Sequence, residues 1–276
     1  MQGIQQKNAL KFTDKFREEF TDHIVVEEPL EVLIWDYKAR SYFPLTVTMR
    51  TPGADRELVS GFLFAEGVIS GRDDILEIDQ KDEHTILLKL KRSISTVEWV
   101  QGRNFLSTAS CGLCGKTKAE LIQKHTCYFP AKQWPVLALS TLLQLPLQLR
   151  AEQSLFQLTG GIHAAGLFDH TGSIIDIQED IGRHNALDKL IGKSVQNGEV
   201  PWRGYVLVLS GRIGFELVQK ASMLGIPIIV AVGAPSSLAI RVAEEHGITL
   251  IGFTKVDRCN IYSGAERLTD TSVSAV

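Results

Sequence analysis

Tyr205-Val206-Leu207-Val208-Leu209-Ser210-Gly211-Arg212 is the run that decides the fold. An unbroken apolar stretch rich in β-branched residues, ended by a small polar turn, reads as a strand buried on both faces. A helical pattern over residues 215–224 follows it. The same order then recurs. Residues 227–232 form a strand, Gly233-Ala234-Pro235-Ser236 a turn, and residues 237–246 a helix with Ser236 as its N-cap. Residues 249–253 make a third strand. Apolar strands separated by helices argue for a mainly parallel sheet covered on both faces. Ligands of such sheets sit beyond the carboxyl ends of the strands. Those ends here are Ser210-Gly211-Arg212, Gly233-Ala234-Pro235-Ser236 and Phe253-Thr254-Lys255-Val256-Asp257-Arg258.

Upstream, His163–Phe168 and residues 173–178 flank Asp169-His170-Thr171-Gly172, which reads as a hairpin. Residues 140–157 are helical by pattern, with Ser140 placed to cap the start, Pro146 interrupting, and Thr159-Gly160-Gly161 closing the segment. Nearer the N-terminus, residues 31–35 and 42–49 read as strands, and Pro44 makes the second an edge or an irregular start. Leu58, Val59, Phe62, Leu63 and Ala65 recur at helical spacing, with Gly67 as a stop. Residues 75–78 and 85–90 are further strands, and residues 1–22, polar and without a clean period, are expected to form a loose arm. The fold class is therefore α/β. A small α+β N-terminal domain spans 1–106, and a three-layer α/β domain preceded by a thiol-bearing loop spans 107–276.

The 276 residues are 44% hydrophobic and 22% charged, in the ordinary range for a globular chain. A net charge of -3 argues against general binding to a nucleic-acid backbone. No apolar run approaches the length needed to span a bilayer, and the first residues lack the apolar core of a signal peptide. The expectation is a cytoplasmic protein with no nucleic-acid or membrane partner. Four cysteines are too few for a disulfide framework.

Two of them, in Ser110-Cys111-Gly112-Leu113-Cys114-Gly115-Lys116, form a C-x-x-C pair ahead of a helical pattern over residues 116–124. Such a pair can hold half of a metal site, cycle between dithiol and disulfide, or present a thiolate as nucleophile or sulfur carrier. The helix start, with Lys116 or Lys118, favours the thiolate. Cys127 and Cys259 are read first as packed hydrophobes.

Glu179-Asp180-Ile181-Gly182-Arg183-His184-Asn185-Ala186-Leu187-Asp188-Lys189 is the densest polar cluster. It follows a strand and opens a helix, so backbone N–H groups with Arg183 and His184 could hold a phosphate or other anion. The competing view is a capped helix start with a solvated face. His163 is either a hydrogen-bonded core histidine or a site residue with room left by its small neighbours. Arg212 lies in a strand-to-helix turn that lacks the P-loop spacing, and no G-x-G-x-x-G stands at a strand–helix junction. Asp257 between Lys255 and Arg258 suits a guanine nucleotide, the carboxylate accepting from the base and the cations meeting phosphate. A zinc deaminase needs H-x-E before its P-C-x-x-C. Here Ala165 takes the place of the glutamate and the cysteine pair comes first, which argues against that chemistry. A thioredoxin-like role also fails, since the pair does not follow the first strand of a βαβ unit.

Taken together, Ser110 to Gly115, Thr159-Gly160-Gly161-Ile162-His163-Ala164-Ala165, the Glu179 to Lys189 cluster, Ser210-Gly211-Arg212 and the Ser237-Leu238-Ala239, Gly252-Phe253 and Asn260-Ile261-Tyr262 segments resemble the FdhD family. The resemblance covers roughly residues 25 to 265. It implies a C-terminal part similar to the cytidine-deaminase fold without its zinc chemistry. It also implies a sulfurtransferase that accepts persulfide sulfur from a cysteine desulfurase. The sulfur passes to the molybdenum bis(molybdopterin guanine dinucleotide) cofactor, as bound acceptor, before that cofactor enters formate dehydrogenase. Cys111 corresponds to the persulfide carrier and Cys114 to an assisting thiol. Phe253, Thr254, Lys255, Val256, Asp257 and Arg258 correspond to the cofactor-binding run, with His163, Arg183, His184 and Arg212 as further candidates from the strand ends. Ile213-Gly214 departs from the family pattern, where a small polar residue beside the aromatic is expected. No metal ion bound directly by side chains is expected, and a homodimer is. The alternative is a non-catalytic chaperone that binds and delivers the cofactor with structural cysteines. Its zinc-site version would recruit His125 and Cys127.

Overall fold

The computed structural model describes residues 3–92 and 128–269. Cys111, Cys114, His125, Cys127, the linker over 101–109 and the helical pattern over 116–124 lie outside the described residues.

The chain opens with a hairpin where a loose arm was expected. Strands β1 (Ile4–Phe12) and β2 (Arg17–Val25) pair antiparallel, Ile4 opposite Val25 and Phe12 opposite Arg17. The Thr13 hydroxyl closes the turn by accepting from the backbone N–H groups of Lys15 (3.2 Å) and Phe16 (3.1 Å). Leu10, Phe12, Phe16 and Phe20 are all exposed. Neither face of the hairpin is buried, so no clean alternation marks it in the sequence.

Strands β3 (Glu28–Asp36), β4 (Ser41–Arg50), β5 (Ile75–Asp82) and β6 (Thr85–Leu90) form a four-stranded sheet in the order β4-β3-β6-β5. Pro44 does sit on an edge strand. The register slips there, Val32 facing Thr46 and Leu33 facing Pro44, which leaves Leu45 as the extra residue of a bulge. Leu30, Val32, Ile34, Ile86 and Leu88 point to one face and are buried in the same cluster as Leu58, Val59 and Leu63 of helix α1 (Asp55–Ala65).

The second sheet runs β13-β12-β11-β10-β8-β9. Its strands are β8 (His163–Phe168), β9 (Ile174–Asp180), β10 (Val206–Leu209), β11 (Ile228–Ala231), β12 (Thr249–Gly252) and β13 (Asn260–Ser263). It is mixed and not mainly parallel: β10, β11 and β12 are parallel, while β8 and β9 on one side and β13 on the other pair antiparallel. Alternate residues of the parallel strands serve different layers. Leu207, Leu209, Ile229 and Leu250 join the core of helices α4 (Arg183–Asn197), α5 (Phe215–Ser222) and α6 (Ser237–Glu245). Val206, Val208, Ile228 and Val230 join Leu142, Leu145 and Leu149 of helix α2 (Leu139–Glu152) on the other face. Ser236 caps α6, its hydroxyl accepting from Ala239 N–H at 3.2 Å. A two-stranded parallel pair, β7 (Leu137–Ala138) with β14 (Leu268–Thr269), lies to the side.

Two local expectations for residues 140–157 give way. Ser140 lies inside α2 and does not cap it, and Pro146 is buried within the helix without ending it. Packing of Leu142, Leu145 and Leu149 outweighs the hydrogen bond that Pro146 cannot donate. The break comes at Gln153, after which α3 (Ser154–Thr159) ends on Gly160 in the left-handed conformation (φ 64°). The Glu179 carboxylate from β9 accepts from Leu155 and Phe156 N–H at 2.9 and 3.0 Å, satisfying the start of α3.

The N-terminal sheet joins the rest through α1 and α4, which cross in backbone contact. A Cβ on Gly61 would overlap the Asp188 carbonyl, and one on Gly192 would overlap the Glu57 carbonyl. Helix backbones do not yield locally, so Gly61→Ala and Gly192→Ala should each lower stability by about 3 kcal/mol. The urea midpoint of each variant checks this. An unchanged midpoint would mean the helices are not in contact at these glycines.

Candidate functional site

Three loops meet at the carboxyl ends of β10, β11 and β12. Gly233 N–H donates to Gly211 O (3.1 Å), Ile213 N–H to Ala234 O (3.0 Å) and Phe253 N–H to Gly233 O (3.1 Å). A side chain at Gly233 would press on the backbone of Gly211 and Arg212 at 2.8 Å. Ile213, the departure from the family pattern, is buried and bridges to Pro235. The start of β8 joins the same edge, with Ala164 N–H donating to the Ser210 hydroxyl at 2.8 Å. His163 therefore lies beside Gly211, whose Cβ, if present, would stand 3.1 Å from the imidazole.

The Glu179 to Lys189 cluster divides into scaffold and site. Asp180 is fully buried and accepts from Thr51 N–H (3.1 Å), Gly182 N–H (2.8 Å), Asn185 Nδ2 (3.1 Å) and Lys189 Nζ (2.7 Å). Asn185 also donates to Met49 O at 2.7 Å and Lys189 to Thr51 O at 2.8 Å. These bonds fix the first turn of α4, from which Arg183 and His184 emerge. Asn185 thus belongs to the scaffold.

His184 Nε2 lies 3.1 Å from Glu216 Oε2 on α5. That hydrogen bond, with the charges of His184, Lys220 and Arg183, holds the Glu216 carboxyl below the usual glutamate range. One turn on, Lys220 Nζ meets both oxygens of Asp188 at 2.7 and 2.8 Å, and burial pushes the Asp188 carboxyl upward against that pull. The i, i+4 spacing of Glu216 and Lys220 puts them on one face of α5. The sequence carried no sign that this face meets α4.

Burial pushes His163 below the usual imidazole range, and the charges of Arg183, His184 and Arg212 push it further. Asp180, its cross-strand partner, pulls the other way. Of the expected site residues, His163, Arg183, His184 and Arg212 thus share one electrostatic neighbourhood. Arg183 Nε is buried without a hydrogen-bond partner. Two cavities, of about 510 and about 470 Å³, both reach His163 and Ile181; the larger is lined by Arg183, His184 and Glu216.

Phe253 to Arg258 line neither cavity. Phe253 adopts a left-handed conformation (φ 51°) with 46% of its surface exposed. Lys255, Val256, Asp257 and Arg258 are exposed on a turn closed by Lys255 N–H to Arg258 O at 2.8 Å. Thr254 is buried with an unpartnered hydroxyl. Cys259 packs beside the α2 core, and burial raises its thiol, in line with a packing role. Among the described residues, no group of three or more His, Cys, Asp or Glu side chains is placed to hold a metal ion. Nor is any helix among them long and apolar enough to cross a membrane.

The model of the FdhD/NarQ family matches residues 25–269. This chain belongs to the FdhD/NarQ family. A sulfur carrier protein FdhD of Nocardia farcinica is 46% identical over 260 residues, 91% of this chain and 90% of the relative. One of Sulfolobus acidocaldarius is 38% identical, with 96% and 98% covered. A crystal structure described as a candidate formate dehydrogenase accessory protein of Desulfotalea psychrophila superposes with a TM-score of 0.71 at 22% identity, covering 96% of this chain and 99% of that one. The FdhD/NarQ match begins at the end of β2, so the exposed hairpin precedes it.

Two outcomes follow from the electrostatics. The His163 imidazole should titrate below 6.5 by NMR. Its folded pKa is depressed, so stability is held above 6.5, falls as pH drops through that value, and levels off below the folded pKa. His163→Gln should flatten that limb; a His163 midpoint at or above 6.5 would contradict the placement. Lys189→Met strands the buried Asp180 charge and should cost about 3 kcal/mol or more, read from urea unfolding at neutral pH.

Proposed function

We propose that this chain is a sulfurtransferase that carries sulfane sulfur as a persulfide on Cys111. It takes the sulfur from a cysteine desulfurase and delivers it to the molybdenum bis(molybdopterin guanine dinucleotide) cofactor needed by formate dehydrogenase. The observation that carries this reading is kinship. Relatives 38–46% identical over most of the chain bear the name sulfur carrier protein FdhD, and the C-x-x-C pair that such chemistry needs is present.

In the first step the Cys111 thiolate attacks the terminal sulfur of the desulfurase persulfide. The donor S–S bond breaks, the donor cysteine leaves as thiolate, and a new S–S bond forms on Cys111. In the second step an electron pair of the acceptor would attack the terminal sulfur: a new bond forms to that sulfane sulfur, the Cys111 S–S bond breaks, and Cys111 leaves as thiolate. Cys114 assists by relaying or releasing the sulfur.

The acceptor is anionic through its phosphates, and the strand-end site offers what such a substrate needs. Arg183, His184 and Arg212 each act electrostatically on His163, and Arg183 Nε has no internal partner. Phe253 and the exposed Lys255, Val256, Asp257 and Arg258 add an aromatic ring, an apolar contact, two cations and a carboxylate beside it, with Thr254 beneath. In this reading the working form is a cytoplasmic homodimer, one site for each nucleotide half of the acceptor.

The test is peptide mass analysis after incubation with a cysteine desulfurase and cysteine. A gain of one sulfur atom on Cys111, reversed by reductant, is the expected result. Cys111→Ala should abolish maturation of the dehydrogenase while nucleotide binding persists. Normal maturation by Cys111→Ala would instead favour a chaperone that only binds and delivers the cofactor.

A further inference from the structure

The hairpin of β1 and β2 is the least supported element of the fold. Its base is anchored where Gly3 abuts Thr51 and Leu155, and β2 packs against α3. β1 pairs with β2 alone. A lone two-stranded hairpin is marginal in water, whereas three or more strands with an apolar face hold together.

The free edge of β1 can be read residue by residue. Val26 N–H donates to Gly3 O and Thr13 N–H to Phe16 O, both at 2.9 Å. The register between them is unbroken, and hydrogen-bonded pairs alternate along an antiparallel ladder. Odd-numbered residues of β1 therefore direct their backbone groups at β2. Ile4, Gln6, Asn8, Leu10 and Phe12 point theirs outward. Natural edges are blunted by proline, by bulges or by uncompensated charge. β1 has no proline and no bulge. Its two lysines are matched inside the hairpin, Lys7 opposite Asp22 and Lys11 3.7 Å from Glu18. Leu10 and Phe12 stay exposed on one face, Phe12 by 69%.

We infer that this edge pairs with the same edge of a second copy of the chain, β1 against β1 antiparallel about a two-fold axis at Asn8. The order becomes β2-β1-β1-β2, a continuous four-stranded sheet. In that register Ile4 stands opposite the partner's Phe12, Gln6 opposite the partner's Leu10, and Asn8 opposite the partner's Asn8. All are outward-pointing residues, so each pair exchanges both backbone hydrogen bonds. Lys7 meets the partner's Ala9 and Lys11 the partner's Gln5, so no like charges stand directly opposite. β2 carries Glu18, Glu19 and Asp22 and already packs against α3, which leaves β1 as the available strand. The FdhD/NarQ match begins at residue 25, so this contact lies outside the matched region. The inference rests on the homodimer of the reading above, to which it assigns an interface, and not on the sulfur chemistry.

The experiment is light scattering after gel filtration of the full-length protein. The wild type should run at twice the chain mass of 30.5 kDa. Because the Asn8 N–H points outward, Asn8→Pro spares the β1–β2 ladder. It should give the single-chain mass with an unchanged circular dichroism spectrum. Asn8→Lys and Asn8→Glu each set like charges on the axis and should weaken the dimer by roughly fivefold. Mixed together, they should restore it as a heterodimer. A dimer retained at full strength by Asn8→Pro and Asn8→Lys would place the interface elsewhere and leave the homodimer standing. A monomeric wild type would remove both. Mass that keeps growing with concentration would mean head-to-tail pairing of β1 with β2, and would overturn the two-fold register. Sulfur loading of Cys111 in the same preparations reports separately on the sulfur-carrier reading.

Discussion

The fully buried Asp180 carboxylate, 2.7 Å from the Lys189 ammonium, is the constraint on which the rest depends. A buried ion pair contributes little net stability, because desolvation offsets most of the attraction. Its value here is positional. Asp180 accepts at once from Thr51, Gly182 and Asn185, and Lys189 returns a bond to Thr51 O. One charge pair thereby holds the end of β9, the first turn of α4 and the connection after β4. Removing the pair would release all three together.

The second constraint is steric and acts on the same two bodies. With Gly61 and Gly192 in backbone contact, α1 lies against α4 along most of its length. Phe62 then reaches Lys220, 5.7 Å from its ring, and the Asp188–Lys220 and His184–Glu216 pairs line up one turn apart between α4 and α5. The carboxylates of Glu216 and Asp188 balance His184 and Lys220. Neither Arg183 nor Arg212 forms a direct ion pair among the described residues. Positive charge is therefore concentrated toward the strand ends, where an anionic substrate can use it.

The sequence made some of this legible and hid the rest for physical reasons. Val206 to Leu209 and Ile228 to Ala231 are apolar on both faces, so strand, turn and helix followed from pattern alone. The Thr13 hairpin escaped because neither face is fully buried, so nothing imposes strict alternation on residues 4–25. Pro146 looked like a break because local propensity cannot register the Leu142, Leu145 and Leu149 contacts that carry the helix through it. Arg183 and His184 stood out as candidate site residues from their place at a helix start. Glu216 and Lys220 did not, since the facing of α5 toward α4 is a tertiary fact. Asp257 and Arg258 were candidates from their place after the third strand, and the structure puts them on an exposed turn closed by Lys255 and Arg258.

The departure from a mainly parallel sheet is what builds the site. In a sheet of parallel strands alone, only strand ends and helix starts reach the ligand edge. Here β8 runs against β10, so its beginning, His163, arrives at the edge where β10, β11 and β12 finish. β9 runs against β8 and so finishes there too, delivering Asp180 opposite His163 and the start of α4 directly after it. An antiparallel hairpin set beside parallel strands therefore adds one strand start and one helix start to the crevice. That geometry places a half-buried imidazole at the edge of both cavities, within electrostatic reach of Arg183 and Arg212. No rearrangement of the parallel strands alone would do so.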